Sequence, residues 1–341
     1  MILEGTVLRG PEFVPVEGRV VVEDGEIAAV EEGGARSDDI ILPAFVNAHT
    51  HIGDSIAKEA GGGLSLDDLV APPDGLKHRL LRQASREEKV EAMHRSLRYM
   101  QSGGTAHCIE FREGGVEGVE AIEDAGDGLD IDPVVLGREE IEAMEASGGF
   151  GASGARDADF DSERTATRDA GKLFGIHAGE RDSHDVNAAL DLDPDFLVHM
   201  VHTEQVQRDR VADNEIPIVV CPRSNLVTNV GLPDIDQLAD LTSVALGTDN
   251  VMLNSPSMFR EMEFAAKHSD QPAEAILRMA TKNGADIACL NCGVVEPGRD
   301  AKLLVLDGDS DNLAGAHEPV RAVVRRAGVA DVKDVVLQSA D

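Results

Sequence analysis

Two histidines near the N-terminus are the first residues whose spacing suggests chemistry. His49 and His51 end the segment Pro43-Ala44-Phe45-Val46-Asn47-Ala48-His49-Thr50-His51, which follows the apolar stretch Ile40-Ile41-Leu42. In an extended strand, the side chains of residues i and i+2 project from the same face. Neutral imidazole is the commonest metal ligand in proteins, and zinc and ferrous ions both accept it. The pair therefore predicts half of a metal site, although a His-x-His spacing alone also occurs by chance.

Further polar groups follow short apolar runs later in the chain. These groups are a His with a Glu three residues beyond it, a pair of histidines, and an Asp. In chain order they are His177 and Glu180, His199 and His202, and Asp249. A mononuclear hydrolytic metal site needs this combination, with ligands from several strands and a carboxylate outside the ligand set. Because i and i+3 face opposite ways in a strand, only one of His199 and His202 is expected to point inward.

The positions of these residues depend on eight short apolar runs that alternate with helical patterns. One of the helices begins with the capping box Ser85-x-x-Glu88 and carries an apolar stripe. Eight strand–helix units in roughly 250 residues match a (β/α)8 TIM barrel, an α/β fold whose active site lies at the carboxyl ends of its strands. The predicted strands are the run that ends at His49 and residues 105–109, 133–136, 149–151, 173–176, 196–198, 216–220 and 244–246.

Both ends of the chain predict additional β-structure. Short strands are expected near the start at residues 14–16, 19–23 and 26–30, and near the end at residues 301–306, 320–324 and 335–337. Neither end alone has enough strands to bury a face. We therefore expect a small composite β-sandwich made from residues 1–42 and 296–341, beside a barrel domain over residues 43–295.

Taken together, these residues resemble the amidohydrolase superfamily, in particular the aminohydrolases that include cytosine, guanine and S-adenosylhomocysteine deaminases. The resemblance covers nearly the whole chain, and the order and spacing of its anchors make it specific. The anchors are Pro43 to His51, His177 to Glu180, His199, Cys221-Pro222-Arg223-Ser224-Asn225, Thr248-Asp249 and Glu296-Pro297-Gly298-Arg299-Asp300-Ala301.

The resemblance implies a ligand set for one divalent metal ion, zinc or ferrous iron, made of His49, His51, His177 and Asp249. It also implies catalytic roles for Glu180 and His199, with Asp249 accepting a proton from the metal-bound water. A divalent metal lowers the pKa of bound water toward ~7. The resulting metal-bound hydroxide would attack a ring carbon and release ammonia. The implied enzyme acts on C–N bonds other than peptide bonds, as a deaminase of a purine, pyrimidine or pterin-like amine.

Several alternatives stay open at this point. Binuclear members of the superfamily use a bridging lysine after strand four, and residues 150–154 contain none. Deacetylase-like members use a glutamate near strand three, which Glu139 or Glu140 could supply. The same site could instead open a cyclic amide, as an imidazolonepropionase does, or hydrolyse a C–Cl bond, as a chlorohydrolase does. A scaffold that binds metal without turnover would have no need for Glu180.

Three residues are candidates for substrate binding: His107 after the second barrel strand, Lys77, and Asn225. Lys77 belongs to the long glycine-rich loop over residues 52–79, which would lie above the metal and could act as a lid. The chain has one tyrosine and no tryptophan. We therefore expect that any aromatic stacking on a heterocyclic substrate would involve Phe45, Phe111 or Phe150.

The charge balance excludes several classes of partner. The chain carries 31 basic and 64 acidic residues, a formal net charge of −33, and the acids are spread along its whole length. Such a surface is suited to high salt and predicts a halophilic source, and it repels nucleic acid and anionic membranes. No apolar run approaches the ~20 residues of a membrane span, and no signal peptide is recognisable. We expect a cytoplasmic protein with a small-molecule substrate, and a homo-oligomer is possible.

Overall fold

The first three strands of the chain form an antiparallel meander, and the fourth pairs parallel with the first. The computed structural model describes residues 1–71 and 73–337. Its first four strands are Ile2–Arg9 (β1), Val14–Glu23 (β2), Glu26–Glu32 (β3) and Ile40–Pro43 (β4). The turn between β2 and β3 places Asp24 at φ 48° and Gly25 at φ 77°. An Asp-Gly pair tolerates two successive left-handed residues, which is the backbone that a tight hairpin turn requires.

A second, larger sheet contains the predicted barrel strands. They are Phe45–His51 (β5), Thr105–Arg112 (β6), Asp132–Gly137 (β7), Gly149–Ala152 (β8), Leu173–Ala178 (β9), Phe196–His199 (β10), Ile218–Val220 (β11), Val244–Leu246 (β12) and Asp249–Asn250 (β13). Neighbours in this sheet are parallel and follow the order β12-β11-β10-β9-β8-β7-β6-β5-β13. The predicted α/β class and the eight strands are confirmed.

The sheet curls because its last segment returns to its first strand. Only Gly247 and Thr248 separate β12 from β13, yet β13 pairs with β5, with Asp249 opposite Thr50 and Asn250 opposite His51. The carboxyl end of the eighth predicted strand thus lies beside the end of the first. This register brings Asp249 next to the His-x-His pair, although the two are about two hundred residues apart in sequence.

Helices connect the strands of this sheet and cover it. They are Leu66–Val70 (α1), Leu76–Gln83 (α2), Arg86–Ser102 (α3), Gly115–Gly126 (α4), Ile141–Glu145 (α5), Asp161–Ala170 (α6), Val186–Asp191 (α7), Gln205–Asp213 (α8), Pro222–Val227 (α9), Ile235–Ala239 (α10), Met258–His268 (α11), Ala273–Met279 (α12), Lys282–Ile287 (α13) and Pro319–Arg325 (α14). Short 3₁₀ helices cover Ile52–Ala57, Ser183–Asp185 and Val329–Asp331. In the described residues, no helix is long and apolar enough to cross a bilayer.

The segment predicted as a loop over residues 52–79 is partly helical. It contains the 3₁₀ helix Ile52–Ala57, helix α1 and the start of α2, while Pro72 lies outside the described residues. Ser65 caps α1 by accepting a hydrogen bond from the Asp68 amide. The predicted capping box of α3 is confirmed, with the Ser85 hydroxyl and the Glu88 carboxylate each bonded to the other residue's amide.

The ends of the chain meet in one sheet rather than in two facing ones. Strands Leu303–Leu306 (β14) and Val332–Val336 (β15) join β1–β4 in the order β15-β14-β4-β1-β2-β3. Within residues 1–71 and 73–337, a second sheet facing this one is not formed, so the predicted sandwich is not confirmed. Residues 320–324, predicted as a strand, belong to helix α14, which starts at Pro319 and packs its buried valines against α11 and α12. Burial on one helical face overrides the β-propensity of the valine run.

Both faces of the large sheet are buried. Along β11, Ile218 and Val220 join the cluster packed against the helices, while Val219 joins the cluster inside the curled sheet. This alternation is the two-residue period of a strand covered on both sides. The polar side chains at the carboxyl ends of the strands therefore stand at the edge of a rigid apolar core.

Candidate active site and metal centre

The four predicted ligand side chains converge at the carboxyl ends of β5 and β9 and at the start of β13. His177 Nε2 lies 3.2 Å from His49 Nε2 and 3.3 Å from His51 Nε2. Asp249 Oδ1 lies 3.4 Å from His49 Nε2 and 3.7 Å from His51 Nε2. All four side chains are buried. Strands distant in sequence thus bring three imidazoles and one carboxylate to a common point.

The ring orientations fit a metal ion at that point. His177 Nδ1 donates to the Ala152 carbonyl at 2.8 Å, and His51 Nδ1 lies 3.2 Å from the Phe111 carbonyl. These bonds place the ring hydrogen on Nδ1 and leave the Nε2 lone pair free. Burial lowers the pKa of His49 and His177, and lowers that of His51 to about 3, so the rings are neutral. Neutral nitrogens whose lone pairs face each other repel, and a divalent cation between them relieves that repulsion.

Asp249 is held in place by hydrogen bonds to both of its oxygens. Ser224 Oγ donates to Oδ2 at 2.6 Å, and Asn250 Nδ2 donates to Oδ1 at 2.9 Å. Burial alone would raise the pKa of Asp249, but the hydrogen bond with His49 holds that pKa well below its usual range. The carboxylate is therefore ionised and turns Oδ1 toward the histidines.

Glu180 and His199 stand beside the ligand group. His199 Nε2 is 3.8 Å from Glu180 Oε1, and Asn225 Nδ2 lies 3.1 Å from His199 Nδ1. Burial raises the pKa of Glu180 above its ordinary value, which favours a carboxyl that both holds and releases a proton. His202 turns away from this group, because its Nε2 donates to the Val230 carbonyl at 2.8 Å. The structure thus brings His199, and not His202, to the predicted site.

Two of these positions use a left-handed backbone without glycine. His199 has φ 80° and Asp249 has φ 59°. Such conformations cost of order 1–3 kcal/mol and cluster at functional sites, where the surrounding structure imposes them. His199 is the last residue of β10 and Asp249 is the first residue of β13, and at both positions the turn directs a polar side chain into the site.

A buried carboxylate that the sequence analysis missed also contacts the site. Glu113 Oε1 lies 3.0 Å from His51 Nδ1, 2.6 Å from Lys77 Nζ and 3.1 Å from Arg138 Nη1. Burial opposes its ionisation, but the charge of Lys77 and the hydrogen bond with His51 hold the pKa of Glu113 well below its usual range. Its position directly after β6, at a strand exit, is the signal that could have identified it.

The three predicted substrate-binding residues have different positions. Lys77 lies beside Glu113 and lines the cavity over the ligand group. Asn225 contacts His199 instead of lining the cavity, so it supports a catalytic candidate. His107 is misassigned: it lies near the start of β6, opposite Val46, and its Nδ1 donates to the Asp132 carbonyl. Strand β6 continues to Arg112, so His107 is at the wrong end of the strand to reach the site.

The structure also changes the expectations for aromatic stacking on the substrate and for a deacetylase-like glutamate. Phe45, Phe111 and Phe150 are buried in the core, so none of them is available to stack on a substrate. Phe111 packs edge-on against His49, with ring centroids 4.6 Å apart, and so helps to hold this predicted metal-binding residue in place. The exposed Glu139 and Glu140 accept bonds from the Gly114 and Val116 amides, so they cap the loop before α4 and do not form a deacetylase-like site.

Comparisons with known proteins match this arrangement. A model of the amidohydrolase family matches residues 40–338. A protein of Methanothermobacter thermautotrophicus, provisionally named an aminohydrolase, is 34% identical over 96% of this chain and 94% of its own length. The 5-methylthioadenosine/S-adenosylhomocysteine deaminase of Halobacterium salinarum is 26% identical over 97% of this chain and 89% of its own. An adenosine deaminase from Xanthomonas campestris with bound zinc has a similar fold, with a TM-score of 0.83 at 20% identity, covering 98% of this chain and 91% of that one.

The family match and the archaeal relative both extend over most of the chain, and the matched residues 40–338 include the clustered histidines and aspartate. The chain belongs to the amidohydrolase family, in its aminohydrolase branch, and is a hydrolase that acts on C–N bonds.

Proposed function

We propose that this protein is a hydrolytic deaminase of a heterocyclic amine such as a purine, pyrimidine or pterin, built on a (β/α)8 barrel. One divalent ion, zinc or ferrous iron, would be held by His49, His51, His177 and Asp249. When bound, the ion supplies a Lewis acid that lowers the pKa of water toward ~7. The observation that carries the proposal is Glu180, a half-buried carboxyl of raised pKa that lies outside the ligand group and 3.8 Å from His199.

Glu180 is suited to move protons during the reaction. Hydrolytic deamination converts a ring C–NH2 and water into a ring carbonyl and ammonia, so protons must pass from water to the ring nitrogen and to the leaving amine. A carboxyl whose pKa is raised toward neutrality gives and accepts protons at small cost. Asp249, ionised and beside the histidines, can accept the first proton from the attacking water.

His199 is suited to stabilise the developing negative charge. Asn225 donates to His199 Nδ1, which leaves the ring hydrogen on Nε2, the atom that faces the site. A fixed donor aimed at the oxygen that becomes charged stabilises the transition state more than the ground state. The tight burial of Asn225 keeps this donor from rotating away.

The relatives support a nitrogen heterocycle as the substrate. The Halobacterium salinarum relative is named for its action on 5-methylthioadenosine and S-adenosylhomocysteine, and the structural neighbour is named as an adenosine deaminase. Both names refer to aminopurines. Among the described residues that line the cavity over the ligand group, the only aromatic rings are histidines. We therefore infer that polar contacts, and not stacking on Phe, Tyr or Trp, orient the ring.

The proposal is tested by metal analysis and a substrate screen at high salt. Purified protein is expected to contain about one zinc or iron ion per chain and to release ammonia from at least one aminopurine, aminopyrimidine or pterin. Chloride release from a chlorotriazine, or opening of a cyclic amide without ammonia, would favour the alternative hydrolases. Absence of turnover on every substrate, with metal bound, would favour a scaffold.

Two variants distinguish a residue that binds the metal from a residue that transfers protons. Glu180→Gln is expected to keep the metal and lose at least ~10³-fold in kcat, since the amide carries no transferable proton. His177→Ala is expected to lose the metal. The control is Glu123→Gln, the same change at an exposed position of α4. Full activity of Glu180→Gln would contradict the mechanism, and full metal occupancy of His177→Ala would contradict the ligand set.

A further inference from the structure

Lys77 is a buried cation held by groups from three other parts of the chain. It lies in the first turn of α2, and its side chain is 3% exposed. Its Nζ lies 2.6 Å from Glu113 Oε1 and 3.2 Å from Asn250 Oδ1, and Asp54 Oδ2 is 3.9 Å away. An ammonium group has three donors, and here three oxygens surround it. Glu113 directly follows β6 and Asn250 belongs to β13, so Lys77 joins α2 to two strand exits.

Two of these acceptors also contact predicted metal ligands. Glu113 Oε1, which accepts from Lys77, lies 3.0 Å from His51 Nδ1. Asn250 accepts from Lys77 through Oδ1 and donates through Nδ2 to Asp249 Oδ1 at 2.9 Å. A single ammonium on α2 therefore reaches two ligands, His51 and Asp249, through one intervening side chain each.

The cost of burying charge ties these contacts to the docking of α2. A buried ammonium is strongly unfavourable unless it is paired and hydrogen-bonded, and removing one partner of a buried pair leaves the other charge uncompensated. Lys77 finds its partners only when α2 lies over the strand exits. Without Lys77, Glu113 keeps Arg138 at 3.1 Å but loses its shortest contact, and Asn250 loses the donor that holds its Oδ1 away from Asp249.

We propose that Lys77 is a positioning residue that couples the docking of α2 to the geometry of the metal ligands His51 and Asp249. This inference rests on the metal site of the proposed function, but not on its substrate. Residues that orient metal ligands affect metal affinity by 10–100-fold when they are removed. Because coupling between two equilibria is reciprocal, bound metal must in turn stabilise the docked position of α2.

The test measures zinc affinity and hydrogen exchange, neither of which depends on turnover. In the unsubstituted protein, zinc is expected to slow the exchange of the α2 amides more than that of the distant helix α6. The variant Lys77→Met is expected to bind zinc 10–100-fold more weakly, in competition with a chelator, and to lose the zinc-dependent protection of α2. Lys58→Met, the same change at an exposed position before α1, is the matched control and is expected to behave like the unsubstituted protein.

A second variant distinguishes the effect of losing the Lys77 ammonium group from the effect of losing side-chain packing in α2. Leu81→Ala removes a buried side chain from the same helix but keeps the ammonium. It is expected to speed exchange of α2 while leaving zinc affinity within about threefold of the unsubstituted value, because α2 stays docked in most molecules and Lys77 keeps its contacts there. Equal loss of zinc affinity in Leu81→Ala and Lys77→Met would assign the effect to packing and overturn the proposal. Unchanged affinity in Lys77→Met would also overturn it.

The exchange measurement on the unsubstituted protein keeps the inference falsifiable if Lys77→Met does not fold. Zinc that leaves the α2 amides unprotected would overturn the coupling directly. Failure to find a deaminated substrate would contradict the proposed function alone, since zinc binding and α2 exchange are measured without substrate.

Discussion

Ser224 donates its hydroxyl hydrogen to Asp249 Oδ2 at 2.6 Å, and this bond turns the other carboxylate oxygen toward the histidines. Ser224 lies in the first turn of α9, directly after β11, so a rigid strand–helix junction positions it. The same turn carries Arg223, whose amide and guanidinium both donate to the buried Glu261 of α11. Asp249 is thus held by Ser224 at a neighbouring strand exit. The hydrogen bonds between Arg223 and Glu261 fix the position of that exit in turn.

Replacing Ser224 should therefore weaken metal binding without unfolding the protein. In Ser224→Ala, Asp249 loses a short hydrogen bond, and its carboxylate can rotate away from the ligand geometry. We expect roughly tenfold weaker zinc affinity, at the lower end of the effect of removing a group that orients a ligand. Zinc competition with a chelator measures it, with Ser162→Ala on the exposed start of α6 as control. Unchanged affinity would show that Asn250 alone orients Asp249.

Replacing Asn225 should instead affect turnover and leave the metal in place. Asn225 Nδ2 donates to His199 Nδ1, and His199 lies outside the predicted ligand set. In Asn225→Ala, the imidazole can rotate and can carry its hydrogen on either nitrogen, so the donor aimed at the substrate oxygen is lost part of the time. We expect kcat to fall 10–100-fold with little change in KM. Metal analysis of the same preparation checks the assignment, because loss of zinc would place His199 among the ligands.

The parts of the fold that the sequence predicts are those with a local signal. The strands of the large sheet are short runs of buried, mostly apolar residues, and several of them have a polar site residue at or directly after their end. For this reason His49, His177 and Asp249 could be placed at strand exits before any long-range contact was known. Parallel strands then bring those exits together at one edge of the sheet.

The parts that could not be predicted depend on contacts between distant residues. Nothing near Lys77 in sequence indicates that it meets Glu113 and Asn250, because α2 reaches them only after the sheet has curled. His107 shows the opposite error: a polar residue inside a strand run was read as if it followed the strand. Strand β6 extends to Arg112, and a boundary error of three residues moves a side chain about 10 Å along the strand.

The buried Glu261 predicts a pH dependence of stability. Burial raises its pKa to about 7, although Arg223 opposes the shift. A carboxyl whose pKa is higher in the folded than in the unfolded chain stabilises the fold fully below about pH 4.5, and that contribution is lost as the pH rises through about 7. The variant Glu261→Gln cannot ionise. The free energy of unfolding of the original protein should therefore fall between pH 5 and pH 8 by about 2 kcal/mol more than that of the variant.

Urea denaturation of both metal-free proteins at constant salt measures this difference. At pH 5 Glu261 carries no charge, so Arg223 loses a charged partner in Glu261→Gln only at pH 8, and that interaction is already part of the folded-state pKa of Glu261. The comparison between pH values therefore isolates the titration of Glu261. A stability difference that stays constant from pH 5 to pH 8 would show that Glu261 is ionised throughout this range.

The net charge of −33 predicts that the fold is more stable in concentrated salt. Acidic side chains spread along the whole chain repel one another most in the compact state, and the Debye length falls from about 10 Å at 0.1 M salt to about 3 Å at 1 M. We expect Tm to rise by roughly 3–6 °C between 0.1 M and 1 M KCl, equivalent to about 2–4 kcal/mol for a chain of this size. Because screening depends on ionic strength alone, choline chloride should act like KCl, and the gain should shrink at pH 5, where some carboxylates are protonated. A gain that is the same at pH 5 and pH 8 would assign the effect to solute exclusion from the surface.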